Sequence, residues 1–208
     1  ALPELKSPGG EPTGAIRGVA AMLRRLAADH KAQARACVFD AKGKTFREAL
    51  YPEYKAHRPP MPEALAAQIE PLQALVAALG WPVLAVAGVE ADDVIATLAA
   101  EAARAGWRCI ISTSDKYLAQ LVDERVTVVD TMANEVFDAA GVERKFGVPP
   151  QRIVDYLALV GDAVDNVPGV DKVGPKTACK LIEQYGSLEG VIAHADEVKG
   201  VVGENLRR

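Results

Sequence analysis

Histidine and cysteine are scarce, three of each among 208 residues, and their scarcity removes whole classes of chemistry. Cys37, Cys109 and Cys179 are odd in number and far apart, so they offer neither a disulfide framework nor a zinc-ligand pattern. They suit a reducing compartment, and Cys37 and Cys109 fall in segments expected to form buried strands. So few histidines speak against a Ser-His-Asp or Cys-His mechanism. An unbroken apolar span is also lacking. Pro71–Val89 carries no charge, but Gly80-Trp81-Pro82 divides it into a helical and a strand pattern, so no membrane crossing is expected. No signal peptide is expected ahead of it, and the expected setting is cytoplasmic. Finally, neither sign of charge dominates. A net charge of −4 is a mild argument against a nucleic-acid partner unless bases and acids are segregated along the chain.

What the chain does contain is half hydrophobic residues, enough for one core-bearing domain and a smaller one. It also contains a recurring motif in which an apolar run of strand length stops at carboxylates. Val83–Val89 ends at Glu90, Asp92 and Asp93, ahead of Val94, Ile95, Leu98 and Ala99 at helical spacing. Such acids are also what a helix N-terminus favours, so one junction leaves a capping role open. Arg35–Asp40 and Cys109–Asp115 repeat the pattern, and Val126–Asp130 is a fourth candidate. In an open α/β sheet, ligands bind outside the carboxyl ends of parallel strands. Carboxylates gathered there repel one another unless a cation sits among them, and hard oxygen donors select Mg²⁺, Mn²⁺ or Ca²⁺. The expectation is a divalent-metal site.

In chain order, a Pro/Gly-rich lead-in (Ala1–Gly10) precedes a helix opened by Pro12-Thr13. The strand Arg35–Asp40 follows, then helix Glu63–Leu79, strand Val83–Ala87 and helix Asp92–Ala105. Strand Arg108–Thr113 and a short helix Lys116–Val122 complete this part. The alternation argues for a mostly parallel sheet with helices on its faces. Between Lys42 and Arg58, five Lys/Arg stand against two Glu, with Phe46, Tyr51 and Tyr54 interleaved. That stretch reads either as a solvated loop or as a mobile element whose bases meet phosphates and whose rings stack on nucleobases.

The character changes after Phe146-Gly147-Val148-Pro149-Pro150. A helix from Gln151 to about Val160 leads into Gly161-Asp162-Ala163-Val164-Asp165-Asn166, where the two acids share a face if the turn is helical. Next comes Val167–Ala178, whose Gly169 and Gly174 bracket a tight hairpin before a helix opened by Pro175. With Lys172, Lys176 and Lys180 nearby, this helix start reads as a phosphate site, the alternative being an ordinary helix-loop-helix connection.

Taken together, these residues resemble the 5′ nuclease domain of bacterial DNA polymerase I, in the flap-endonuclease superfamily. The resemblance covers nearly the whole chain. It rests on Gly9-Gly-Glu-Pro-Thr-Gly14, Phe39-Asp40, Tyr54–Pro62, Glu90–Asp93, Ser112–Lys116, Gly161–Asn166 and Pro168–Ala178. It implies an α/β fold, PIN-like or resolvase-like, with a mostly parallel sheet flanked by helices over residues 1–145. A small helix-hairpin-helix DNA-binding domain would follow over 146–208. The implied activity is metal-dependent 5′-3′ exonuclease or flap-endonuclease hydrolysis on DNA with a 5′ flap, nick or 5′ end. By matching motifs, Asp40, Glu90, Asp92 and Asp93 would serve one Mg²⁺ or Mn²⁺, and Asp115, Asp162 and Asp165 a second. Tyr54, Lys55 and Arg58 would handle the 5′ strand, Lys55 and Arg58 acting in catalysis. Gly169, Gly174, Lys176 and Thr177 would grip duplex backbone, with K⁺ held by hairpin carbonyls.

Three departures accompany the resemblance. The family has a further strand, bearing another metal-binding Asp, ahead of the point where this sequence begins. The expectation is therefore a fragment without its first strand, stopping within the second domain and separate from any polymerase domain of a longer chain. The family's Gly-Asp-Lys-Asp also reads Ser114-Asp115-Lys116-Tyr117 here, a phenol in place of an acid, which should weaken the second metal. The rival expectation is a DNA-structure-binding module with little or no catalysis.

Overall fold

In a computed structural model, residues 5–208 are described; the first four residues of the lead-in lie outside the described residues. The elements in chain order are α1 (Gly14–Asp29), β1 (Cys37–Val38), α2 (Phe46–Leu50), α3 (Glu63–Ala78) and β2 (Val83–Leu84). They continue with α4 (Ala91–Arg104), β3 (Cys109–Ser112), β4 (Val126–Asp130), β5 (Glu135–Phe137) and α5 (Ala139–Phe146). Four helices close the chain: α6 (Ile153–Val160), α7 (Pro175–Tyr185), α8 (Leu188–Ala193) and α9 (Gly200–Leu206). They form two compact units. One holds the described residues to Thr45 with Pro59–Ala91, and the other holds Phe46–Arg58 with Asp92–Arg208.

In the first unit, β1 and β2 are parallel, with Cys37 opposite Val83 and Val38 opposite Leu84. The strands are much shorter than the apolar runs that announced them, because a run's length reports burial and not how far two backbones stay paired. Helix α1 packs on α3 through buried Leu23, Leu72 and Val76. Thr13 occupies the N-cap of α1 but its hydroxyl donates to Leu5 O instead of capping. The amides of Ala15 and Ile16 are met by Gln68 Oε1 on α3, at 2.8 and 3.3 Å, while Gln68 Nε2 donates to Ala64 O. A buried amide thus supplies a helix cap from another element, and its own polar atoms are satisfied.

In the second unit, β3 and β4 are parallel and β5 turns back antiparallel onto β4. Asp130 does not reach out as a site acid. It is buried at the end of β4, where its Oδ1 accepts from the amides of Met132 and Ala133 and closes the β4–β5 turn. Cys37 and Cys109 are half-buried instead of fully enclosed. The core is set by Ile153, Leu159, Val142 and Val191, each fully buried and worth roughly 1.5–3 kcal/mol. Helix α6 ends at Gly161, φ 73°, where the chain must turn sharply into the acid-bearing segment.

Gly161 and Gly169 come into backbone contact there. A Cβ on Gly169 would collide with the carbonyl of Val160 and the nitrogen of Gly161, and one on Gly161 would collide with Gly169. Gly174 has nothing within 4 Å of such an atom and sits at φ −94°, open to any residue. Gly169→Ala should therefore lower the urea midpoint by the equivalent of about 1–3 kcal/mol, while Gly174→Ala stays near neutral. Equal effects would mean that the two backbones do not cross this closely.

Candidate functional site

Asp40 lies just beyond β1, exposed, and its Oδ1 accepts from the Ala91 amide at 2.7 Å. It caps α4, the helix whose first turn carries Asp92 and Asp93. Glu90 is half-buried in the residue before that helix. Asp93 receives a two-pronged bond from Arg47 on α2, at 2.6 and 2.7 Å, the fork of the guanidinium matching both carboxylate oxygens. Asp115 is exposed beyond β3 and caps the 3-10 turn Lys116–Leu121 by accepting from the Tyr117 amide at 2.8 Å.

Asp162 and Asp165 are different: both carboxylates are buried, at 6% and 4% exposure. The turn that carries them is not helical. Asp162 and Val167 exchange backbone hydrogen bonds at 2.8 Å in both directions, so the four intervening residues form a closed loop. Each buried acid then gathers donors. Asp162 Oδ2 accepts from Tyr117 Oη at 2.5 Å and Lys116 Nζ at 3.0 Å, and its Oδ1 from the Val164 amide at 2.8 Å. Asp165 pairs with Arg58 Nη2, stands 4.0 Å from Lys55 Nζ, and accepts from Tyr54 Oη at 3.3 Å. The basic-aromatic segment is consequently folded onto the acid-bearing loop, and Lys55 Nζ also lies 4.8 Å over the Tyr54 ring.

These contacts set the ionisation of the pair Tyr117 and Asp162. Burial raises the Asp162 carboxyl's pKa, but the bonds from Tyr117, Lys116 and the Val164 amide outweigh it, so the net shift is downward. The Tyr117 phenol is pushed far above its ordinary range, by burial first, then by its bond to Asp162 and the negative charge of Asp165. Tyr117 is therefore a neutral donor, satisfying one lone pair of a buried anion.

Among the described residues, no three His, Cys, Asp or Glu side chains stand close enough together to hold a metal ion. The donor chemistry nevertheless fits a hard divalent cation, since all seven acids are oxygen donors. The two buried ones already draw positive side chains onto the oxygens a metal would use. Gly169 has a steric task at Gly161, and Gly174 is the N-cap of α7 without a side-chain cap bond. Lys176 is exposed on the first turn of α7, and the Thr177 amide bonds back to Gly174 O at 3.0 Å. Lys116, which pairs with Asp162, and Asn166, which donates to Glu53 O, join these contacts without having been singled out by residue type or spacing. A Lys beside an acid motif carries no signal of its own, whereas an Asn closing a tight turn could have been noted for its tolerance of left-handed backbone.

The family described as "5′-3′ exonuclease, N-terminal resolvase-like domain" matches residues 1–147, and "5′-3′ exonuclease, C-terminal SAM fold" matches 148–208. A DNA polymerase I of Pseudomonas aeruginosa is 53% identical over 199 residues, covering 95% of this chain but 22% of that protein. A 5′-3′ exonuclease of Aquifex aeolicus is 47% identical over 192 residues, covering 92% of the chain and 66% of its own length. Among solved structures, a bacteriophage T5 5′-exonuclease with bound zinc superposes with a TM-score of 0.79 at 22% identity. It covers 92% of this chain and 75% of its own. A T5 flap endonuclease in a pseudo-enzyme–product complex with DNA and metal ions scores 0.78 at 21% identity, covering 92% of this chain and 75% of its own. At these identities the two superpositions establish the fold. No described helix is long and apolar enough to cross a membrane.

Because Asp162 is more acidic folded than unfolded, its contribution is present above the ordinary carboxylate range near about pH 4 and fades as pH falls through the folded value. In metal-free buffer, Tyr117→Phe should cost about 1–2 kcal/mol at pH 7, and the difference should shrink at an acid pH where the folded Asp162 carboxyl is protonated. Urea unfolding at both pH values reads this out, and a pH-independent loss would assign Tyr117 a packing role only.

Proposed function

The chain belongs to the 5′-3′ exonuclease family, and from that membership we propose that it is a metal-dependent nuclease unit that hydrolyses DNA phosphodiesters near a 5′ end. The observation that carries this reading is the meeting of Tyr54, Lys55 and Arg58 with buried Asp165, beside Asp162. A polyanion can approach a carboxylate nest only where positive charge also meets it. Here both kinds of charge are interleaved on two loops of one compact unit. The domains on this reading are residues 1–145, an α/β nuclease domain, and residues 146–208, a DNA-binding helix-hairpin-helix domain. The chain spans 22% of the first DNA polymerase I relative, and a polymerase domain in a longer protein is part of the same proposal. So is a cytoplasmic setting.

Asp40, Glu90, Asp92 and Asp93 are the proposed ligands of one Mg²⁺ or Mn²⁺, and Asp115, Asp162 and Asp165 those of another. Such ions supply an activated water and charge neutralisation at phosphorus. Lys55 and Arg58 would donate to the phosphate oxygens as negative charge develops, leaving Asp165 to do so. Tyr54 would stack on a base drawn out of the duplex end. Lys176 and the uncapped start of α7, with Gly169, Gly174 and Thr177, would grip the phosphate backbone, and the hairpin carbonyls would take K⁺. A second reading, a DNA-structure-binding module with weak catalysis, has a specific observation behind it. Tyr117 and Lys116 occupy Asp162, so a cation there must displace a phenol and an ammonium.

Cleavage of a 5′-flap oligonucleotide in Mg²⁺, abolished by EDTA, is the expected result. Binding of the flap in Ca²⁺ with no cutting in Mg²⁺ at high protein concentration would instead favour the binding module. Lys176→Ala should weaken binding to duplex DNA and flatten the dependence of log K on log salt by about one phosphate contact. An unchanged slope would take the hairpin out of the interface.

A further inference from the structure

The proposed reaction requires Lys55 and Arg58 to leave Asp165 when a phosphate arrives, so something else must hold their segment in place once they have left. Two residues in left-handed backbone face each other at this contact: Lys55 at φ 55° and Asn166 at φ 59°. Asn tolerates that conformation, whereas a long side chain such as Lys does so only when its surroundings over-determine it. The Lys55 amide donates to Asp165 O at 2.9 Å. Two residues earlier, Glu53 O accepts from Asn166 Nδ2 at 2.8 Å. Four further contacts at this junction, from Tyr54 Oη, Lys55 Nζ, Arg58 Nη2 and Arg58 Nε, use side chains that the proposed reaction needs elsewhere. Of these contacts, Asn166 makes the one side-chain tie that can persist through substrate binding.

We propose that Asn166 is a positioning residue. Its carboxamide fastens the Glu53–Tyr54–Lys55 backbone to the acid-bearing loop, so that Lys55 and Arg58 swing from Asp165 to phosphate about a fixed base. The residue type follows from three demands met together. The position needs a donor to reach a carbonyl, a short side chain at loop distance, and a backbone at ease with positive φ. Asp would offer an acceptor to an acceptor, and Gly would keep the backbone while deleting the tie.

This inference rests on the nuclease reading for its catalytic half, and the test separates the two. Asn166→Gly accepts the left-handed backbone and removes only the carboxamide. Backbone amides of residues 51–58 should then exchange with deuterium about tenfold faster or more, as expected for local opening. In saturating Mg²⁺, kcat for 5′-flap cleavage should fall on the order of tenfold or more with KM within about threefold, since misplacement of catalytic groups acts on the rate. In a Lys55→Ala background the same substitution should add less than about threefold, because it acts through Lys55. Asn166→Asp should resemble Asn166→Gly. Exchange at wild-type rates overturns the proposal whatever the cleavage shows, and so does a fully multiplicative double variant or a loss confined to KM. A wild-type chain that never cuts sinks the nuclease reading instead, and the exchange experiment still decides whether Asn166 fastens the segment.

Discussion

Two carboxylates buried to within a few per cent of complete enclosure impose a debt of charge on everything around them. An unpaired ion in such a place costs several kcal/mol even after relaxation, so a partner of opposite sign is obligatory. Asp165 meets the demand with Arg58 and Lys55, and Asp162 with Lys116 and the Tyr117 hydroxyl. The position of the basic segment, the orientation of Tyr117 and the tight closure of the Asp162–Val167 loop all follow from it. A nucleic-acid enzyme needs anions to hold metal and cations to hold phosphate. Burial of these acids forces anions and cations together on two loops of one unit, which is what the proposed nuclease reading asks of them.

The backbone crossing of Gly161 and Gly169 is what allows the loop to carry both acids inward. Any side chain at either position would lift the loop away from α6, and the carboxylates with it. On the far side, Asn205 of α9 donates to Asp171 O at 2.8 Å, tying down the hairpin that ends at α7. One short stretch, Gly161–Pro175, therefore presents buried acids at one end and an open helix start at the other. In the first unit, Gln68 performs the comparable service for α1, satisfying amides that Thr13 leaves unmet.

Much of the fold is legible in the order of residues. The helices α1, α3, α4 and α7 lie within a residue or two of where apolar spacing, Pro and Gly signals put them, because amphipathic period and end chemistry are local properties. The strands are legible in place more than in length, and β5 (Glu135–Phe137) is not anticipated at all. Arg35–Asp40 reduces to Cys37–Val38 and Val83–Ala87 to Val83–Leu84, since pairing depends on a partner that sequence does not display. Asp130 shows the same limit for acids: it ends an apolar run like the others, yet its oxygen closes a turn.

Residue type and spacing alone settle which chemistry is available. Oxygen donors, few histidines, a basic-aromatic stretch and a lysine-bearing hairpin survive whatever the chain does in space. Packing selects which acids are buried and which cations answer them. Asp162 and Asp165 are enclosed while Asp40 and Asp115 stay exposed as caps, and Asn166 acquires a partner 113 positions away in the chain. Burial and long-range hydrogen bonds are properties of the packed whole, because the free energy of an ion or an amide depends on what surrounds it and not on its neighbours in sequence.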